Sequence, residues 1–233
     1  MSIGTLLSRL GQGLQSLFFP DCCLYCGKLL DDNQKYLCDS CLQQLPLTEM
    51  NMHKFNLAEQ RIADQVNILR AASYCRYEHE SEFRKMIHRA KYGNRPEIMY
   101  RLAQQAAIQW LQSGYFNDVD VIIPVPLHNK KKRYRGYNQS DYIARGLGET
   151  LGLKVCYDGL MRLRNDKSQT MQTNQERQTN IVGAFTLNPK HNFEGKTVML
   201  VDDVLTTGAT LVNCAKQFGK KTKIVIFTLA ISI

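Results

Sequence analysis

Thr197-Val-Met-Leu-Val-Asp-Asp-Val-Leu-Thr-Thr-Gly-Ala-Thr-Leu211 is the stretch that decides the fold. Four of the five residues from Val198 to Asp202 are apolar, and two are β-branched. The spacing predicts a buried strand over Thr197–Val201 that ends on two carboxylates, Asp202 and Asp203. Small and hydroxylated residues follow, Thr206, Thr207, Gly208, Ala209 and Thr210, and they open a helix predicted over Thr210–Phe218. A strand, an acidic pair, a tight loop and a helix start make a grip for a sugar phosphate. Backbone N–H groups and Thr hydroxyls suit the phosphate, and Gly208 lets the backbone approach it. The carboxylates can accept from ribose hydroxyls and help hold magnesium through water. No Lys follows the glycine, which sets the loop apart from a Walker sequence.

Working outward, 233 residues have room for one sizeable domain and a small one. No apolar run is long enough for a membrane span. Ile3, Leu6, Leu7, Leu10, Leu14, Leu17 and Phe18 recur at helical spacing, with Gln12, Gln15 and Ser16 between them. They predict an amphipathic helix docked on the body, with membrane-surface binding as the alternative, and the stretch lacks the pattern of a signal peptide. A cytoplasmic protein is expected. The formal net charge of +9 favours polyanionic partners, either nucleic acid or a phosphorylated small molecule.

Four of the eight cysteines fall in two C-x-x-C pairs, Cys23/Cys26 and Cys38/Cys41. Each turn aims two thiolates at one centre, and two turns complete a tetrahedral four-sulfur zinc site. Redox pairs are the alternative, but two in tandem argue for metal, and a disulfide framework is disfavoured without a secretory signal. Cys22 abuts Cys23 and competes with it as a ligand; the matching spacing of the second pair favours Cys23. With four protein ligands the zinc would be structural. Cys75, Cys156 and Cys214 sit in apolar contexts and read as core residues.

The middle of the chain alternates strands and helices. Strands are expected near Val66–Tyr74, Val119–Pro126 and Lys154–Leu163, over Gly183–Leu187, and over Thr222–Ile231. Helices are expected over Glu78–Ala90, Pro96–Gln112 and Ser140–Leu151, with Lys91–Arg95 as a loop. Between Pro126 and Ser140 lies a basic loop in which Lys130, Lys131, Lys132, Arg133 and Arg135 interleave with Tyr134 and Tyr137. That mixture suits a pyrophosphate, or a single-stranded nucleic acid whose bases stack on the tyrosines. Residues 164–180 are polar and read as a mobile loop. Strands alternating with helices predict an α/β fold with a mainly parallel sheet. Ligands of such sheets sit at the carboxyl ends of the strands, which gathers the loops after Val125, Leu163 and Val201 on one rim. The expected division is a head over residues 1–50 and a body over residues 51–233.

The strand, acidic pair and Thr-rich loop resemble the phosphoribosyl pyrophosphate motif of type I phosphoribosyltransferases. That resemblance assigns Asp202 and Asp203 to ribose and magnesium, Thr206–Thr210 to the 5′-phosphate, and the basic loop to pyrophosphate. Pro124-Val-Pro-Leu-His128, Arg133 and Arg135-Gly-Tyr-Asn-Gln139 narrow the likeness. So do Arg162, Arg164, Gln169, Arg177 and Asn180-x-x-Gly183-Ala-Phe185, and the head from Phe19-Pro20 to Cys41. Together they cover nearly the whole chain in order and are similar to the ComF family. The resemblance implies a competence role in natural transformation, on a type I phosphoribosyltransferase sheet preceded by a zinc-binding head. It also implies single-stranded DNA, phosphoribosyl pyrophosphate or a related sugar phosphate, and DNA-uptake or recombination proteins as partners. Arg162, Arg164, Gln169 and Arg177 belong to the mobile loop in this scheme. Three functions remain open: DNA handling on this scaffold, phosphoribosyl transfer to an acceptor the sequence does not identify, and ligand sensing without DNA.

Overall fold

The computed structural model describes residues 22–163 and 183–233. The N-terminal helix expected before Pro20, and Arg164, Gln169 and Arg177, lie outside the described residues. The chain divides into two compact units, Met1–Leu45 and Pro46–Ile233. The boundary falls before residue 50 because the next residues are tied to the body. The Thr48 N–H donates to Tyr74 O, and the Arg76 N–H donates to Pro46 O.

In the head, short antiparallel bridges join Cys22 to Leu29 and Lys35 to Leu37. A single helical turn, α1 (Asp39–Gln43), follows with Cys38 at its N-cap.

The body is built on a five-stranded sheet of β1 (Arg70–Tyr77), β2 (Val121–Pro124), β3 (Lys154–Val155), β6 (Thr197–Leu205) and β7 (Lys223–Ser232). Its order is β1-β7-β6-β2-β3, and every pairing is parallel, as the alternation of elements predicts. The remaining strands, β4 (Leu160–Arg162) and β5 (Phe185–Leu187), pair antiparallel as a separate hairpin. Where one strand was expected over Lys154–Leu163 there are two, split at Asp158-Gly159, a turn dipeptide.

One face of the sheet is covered by α4 (Glu97–Trp110) and α6 (Gln139–Leu151). They cross so closely that a Cβ on Gly146 would stand 2.5 Å from the Tyr100 carbonyl oxygen. Glycine there is a packing requirement. On the opposite face, Val198, Leu200 and Ile226 pack with Leu211, Val212 and Ala215 of α7 (Ala209–Ala215), and with Leu160 and Phe185 of the hairpin. The helix α2 (Leu57–Gln60) adds Ala58 to this core; Asn56 caps it, accepting from the Ala58 and Glu59 N–H groups. Two further helices, α3 (Glu82–Tyr92) and α5 (Asn129–Arg135), carry residues discussed below.

Two differences from the sequence reading shape the site. First, β6 does not stop at Val201. It runs four residues further, with Asp202, Val204 and Leu205 paired to Thr228, Ala230 and Ile231 of β7. The long apolar run of β7 holds Asp202 and Asp203, poor strand formers, extended within this run. Second, the basic stretch is the helix α5 rather than a loop. His128 caps its start, its Nδ1 accepting from the Lys130 N–H at 3.1 Å, and Gly136 ends it in the left-handed region.

Candidate phosphoribosyl and nucleic-acid site

The site arises where β2 gives out. Pro124 pairs with Val201, and Val125 makes one more bond to the Val201 carbonyl. Pro124 and Pro126 have no N–H to offer, so the ladder ends there. Past Val201, at the carboxyl end of the sheet, β6 keeps its pairing to β7 and has left β2.

Successive side chains of a strand point to opposite faces, so Asp202 and Asp203 meet different partners. Asp202 Oδ1 accepts from Ser140 Oγ at 3.0 Å and from the Asp203 N–H at 2.9 Å. Burial, and secondarily the charge of Asp203, push the Asp202 carboxyl up to about 7. It therefore exchanges its proton near neutral pH. Asp203 is buried, 6% exposed, with Lys91 Nζ 3.0 Å from its Oδ2. Lys91 closes the last turn of α3, where the sequence reading expected a loop. Beneath the pair lies Cys214, buried; burial and the neighbouring Asp202 hold its thiol protonated.

The loop after β6 keeps its expected order. Thr206 and Thr207 are exposed, Gly208 is buried, and Ala209 and Thr210 begin α7. Gly208 adopts φ +80°, and a Cβ there would meet Ile62 Cγ1 at 3.2 Å. Both the backbone sign and the close neighbour favour glycine. Arg61 fixes the loop from behind. Its guanidinium donates to the Leu205 and Thr206 carbonyls, at 3.3 and 2.8 Å, and to Ser232 O.

The other two expected rim loops also bring residues here. Arg162, at the end of β4, stands with its guanidinium 5.0 Å from the Phe185 ring centre. Burial lowers its pKa, while the charge of Asp202 acts the other way. Burial also lowers the pKa of His128, with Arg162, Lys130 and Lys131 adding to the effect, so His128 is neutral at physiological pH. A neutral imidazole matches its role as an acceptor at the cap of α5.

Along α5, Lys130, Lys131, Lys132 and Arg133 are exposed, and Tyr134 is 83% exposed. Arg135 is held: it donates to Gln139 Oε1, and its guanidinium sits 4.8 Å from the Tyr92 ring centre. Tyr92, Asn94, Arg133, Tyr134, Arg135 and Gly136 line a cavity of about 420 Å³. Tyr137 departs from the sequence expectation. It is buried, its hydroxyl donates to Ala90 O, and its ring packs edge-on to Tyr142. It anchors the fold and offers no face for a base to stack on. The aromatic residues at this cleft are Tyr134 and Tyr92, the second of which the sequence did not single out.

In the head, the sulfurs of Cys23, Cys26, Cys38 and Cys41 all lie within 4.8 Å of one another. Cys26 Sγ and Cys38 Sγ are 3.8 Å apart. A zinc tetrahedron with bonds of about 2.3 Å has an edge of about 3.8 Å, so the four sulfurs fit that ion. Burial opposes ionisation of Cys23, but the N–H groups of Cys26, Cys38 and Tyr25 outweigh it and bring the thiol down to about 7. Cys22 is exposed and outside the cluster, which settles the ambiguity in favour of Cys23. Among the described residues, no helix is long and apolar enough to cross a membrane.

A model of the phosphoribosyl transferase domain family matches residues 96–223, more than half of the chain. Competence protein F of Haemophilus influenzae is 35% identical over 102 residues, covering 43% of this chain and 44% of that protein. DNA utilization protein YhgH of Escherichia coli O6:H1 is 30% identical over 134 residues, covering 56% and 58%. Competence protein ComFC of Bacillus subtilis is 31% identical over 113 residues, covering 47% and 43%. The matches span about half the length of these relatives. Lys91 and Arg61 fall outside the segment matched by the domain model.

Proposed function

This chain belongs to the phosphoribosyl transferase domain family, in its ComF branch, and on that premise we propose that it handles internalised single-stranded DNA during natural transformation and holds a phosphoribosyl ligand at the end of β6. The observation that carries this reading is the juxtaposition at one rim of Asp202, Asp203 and the Thr206–Thr210 loop with the cationic end of β4 and the start of α5. The names of the relatives, two competence proteins and a DNA utilization protein, support the cellular role.

In this reading Asp202 accepts from the ribose hydroxyls and Thr206–Thr210 hold the 5′-phosphate. Lys131, Arg133 and Arg135 face the pyrophosphate, or Lys130–Arg133 and Tyr134 track the DNA backbone and its bases. Asp203 is already neutralised by Lys91, so the carboxylate left to support a magnesium ion through water is Asp202. Magnesium bound with the ligand would offset the phosphate charge. Transfer to an acceptor is the second reading, favoured by the same acidic pair. The cationic Arg162 and α5 would then stabilise the leaving pyrophosphate. DNA-uptake or recombination proteins inside the cell are the partners that follow from the first reading.

A paired assay separates the two. Single-stranded DNA binding is measured with and without phosphoribosyl pyrophosphate and magnesium, and pyrophosphate release is measured with candidate bases. DNA binding without turnover supports DNA handling. Turnover without DNA binding replaces it with the transferase reading.

A further inference from the structure

We propose that Cys156, Asp158 and His191 form a second metal site, outside the head and the phosphoribosyl rim, that takes a zinc-class divalent cation and keeps one coordination position open. The three ligand atoms lie within 4.8 Å of one another. They converge on one carboxylate oxygen: Asp158 Oδ1 is 2.7 Å from His191 Nε2 and 3.6 Å from Cys156 Sγ. Donor atoms on zinc stand about 2.0–2.3 Å from the ion, hence about 3.3–3.8 Å from one another. Side-chain rotations of about an ångström bring this trio to that spacing.

The surroundings hold the three residues in place. Cys156 is buried, and its N–H donates to Ile122 O at 2.8 Å, fixing it beside the sheet edge. Asn188, also buried, clamps the two segments together. Its side chain donates to Asp158 Oδ2 at 3.0 Å, its N–H to Gly159 O at 3.0 Å, and its carbonyl accepts from the His191 N–H at 3.1 Å. The His191 ring packs against Phe193, with ring centres 5.9 Å apart. Metal-binding residues are commonly oriented by such outer hydrogen bonds. A simple Asp–His surface pair needs neither the buried thiol nor this clamp.

The donors also select the cation. A thiolate, an imidazole and a carboxylate suit zinc or cobalt, and are too soft and too few for magnesium or calcium. Binding replaces the thiol proton, which passes to solvent, by the metal–sulfur bond. Three protein ligands leave the fourth position of a tetrahedron open, and the Asp158 side chain, 63% exposed, places it toward water. The site lies at the root of the β4–β5 hairpin, whose other end carries Arg162 to the rim beside Asp202. A metal there would fasten the hairpin that presents Arg162.

The test is a zinc count on the full chain, loaded with excess zinc and passed through a desalting column. His191→Ala and Asp158→Asn are each expected to lower the bound zinc by one equivalent relative to the unsubstituted chain. Cys38→Ala reports the head, so a failure of the head site is distinguishable from a failure of this one. In cobalt-loaded Cys38→Ala chain, the visible cobalt absorption should persist, and it should vanish when His191→Ala is added. Both altered side chains reach the surface, and circular dichroism verifies that the fold is retained. Equal zinc content in the parent, His191→Ala and Asp158→Asn chains would overturn the proposal.

Discussion

The four cysteines of the head and the two aspartates of the body are both clusters of ionisable groups, but the protein treats them differently. At Asp202 and Asp203 it supplies partners of its own: Ser140, a backbone N–H and Lys91. In the head the sulfurs face one another. The strongest influences on Cys23 and Cys41, besides burial, are backbone N–H groups and the other thiols. The protein supplies the carboxylates with a cation and hydrogen bonds of its own, whereas the thiols of the head have only backbone N–H groups and one another and ask for a metal. The sheet of the body should therefore hold by packing, and the head should depend on metal.

The largest expected effect breaks the comparison most sharply. Four-sulfur zinc sites carry about 10–16 kcal/mol of binding free energy, which in a segment this small is folding free energy. Strong chelation should release about one zinc from the head and open residues 22–45 to limited proteolysis, while Pro46–Ile233 stays resistant. Equal resistance of both units after metal removal would show that the head needs no ion.

Next in size is the exposed charge of α5. Replacing Lys130, Lys131, Lys132 and Arg133 with Gln should reduce the slope of log affinity against log salt for single-stranded DNA by about 3, if all four meet phosphates. An unchanged slope assigns the DNA contact, if any, to another surface.

Packing in the body comes third. Gly146→Ala drives a Cβ into the Tyr100 carbonyl and should cost about 1–3 kcal/mol of stability. Denaturant unfolding of the body measures this, and the zinc content of the head should not change.

The smallest effect concerns protons. A carboxyl whose folded pKa is raised holds its proton better folded than unfolded, so Asp202 contributes stability that is lost as pH rises from about 4 to about 7. Ligand binding runs the other way, because the ionised form is the better acceptor for ribose hydroxyls and magnesium. Affinity for phosphoribosyl pyrophosphate with magnesium should rise about tenfold between pH 6 and pH 8, and Asp202→Asn should flatten that part of the profile.

Much of this was legible in the chain. The β6 run, the acidic pair, the Thr-rich loop and the two C-x-x-C turns are local, so their chemistry can be read from neighbouring letters. Ser140, Lys91 and Arg61 were not legible, because they reach the site through helices and turns far away in sequence. Lys91 in particular was hidden by a helix end placed two residues too early. The helix α5 was misread as a loop because its seven residues have no apolar face. Yet His128 before it and Gly136 after it were ordinary start and stop signals that could have revealed it. Tyr137 looked like a stacking residue because spacing in a basic segment says nothing about which ring turns inward.

The central claim is that the end of β6 holds a phosphoribosyl ligand. Calorimetric titration of phosphoribosyl pyrophosphate with magnesium into the full chain tests it most directly, set beside the Asp202→Asn, Asp203→Asn double variant. These replacements keep the side-chain volume while removing both charges. The account predicts one saturable site per chain, weakened about 10- to 100-fold in the double variant, since the Asp202 carboxylate that accepts from the ribose hydroxyls loses its charge. No saturable heat with the parent chain, or equal affinity in the two, would contradict it.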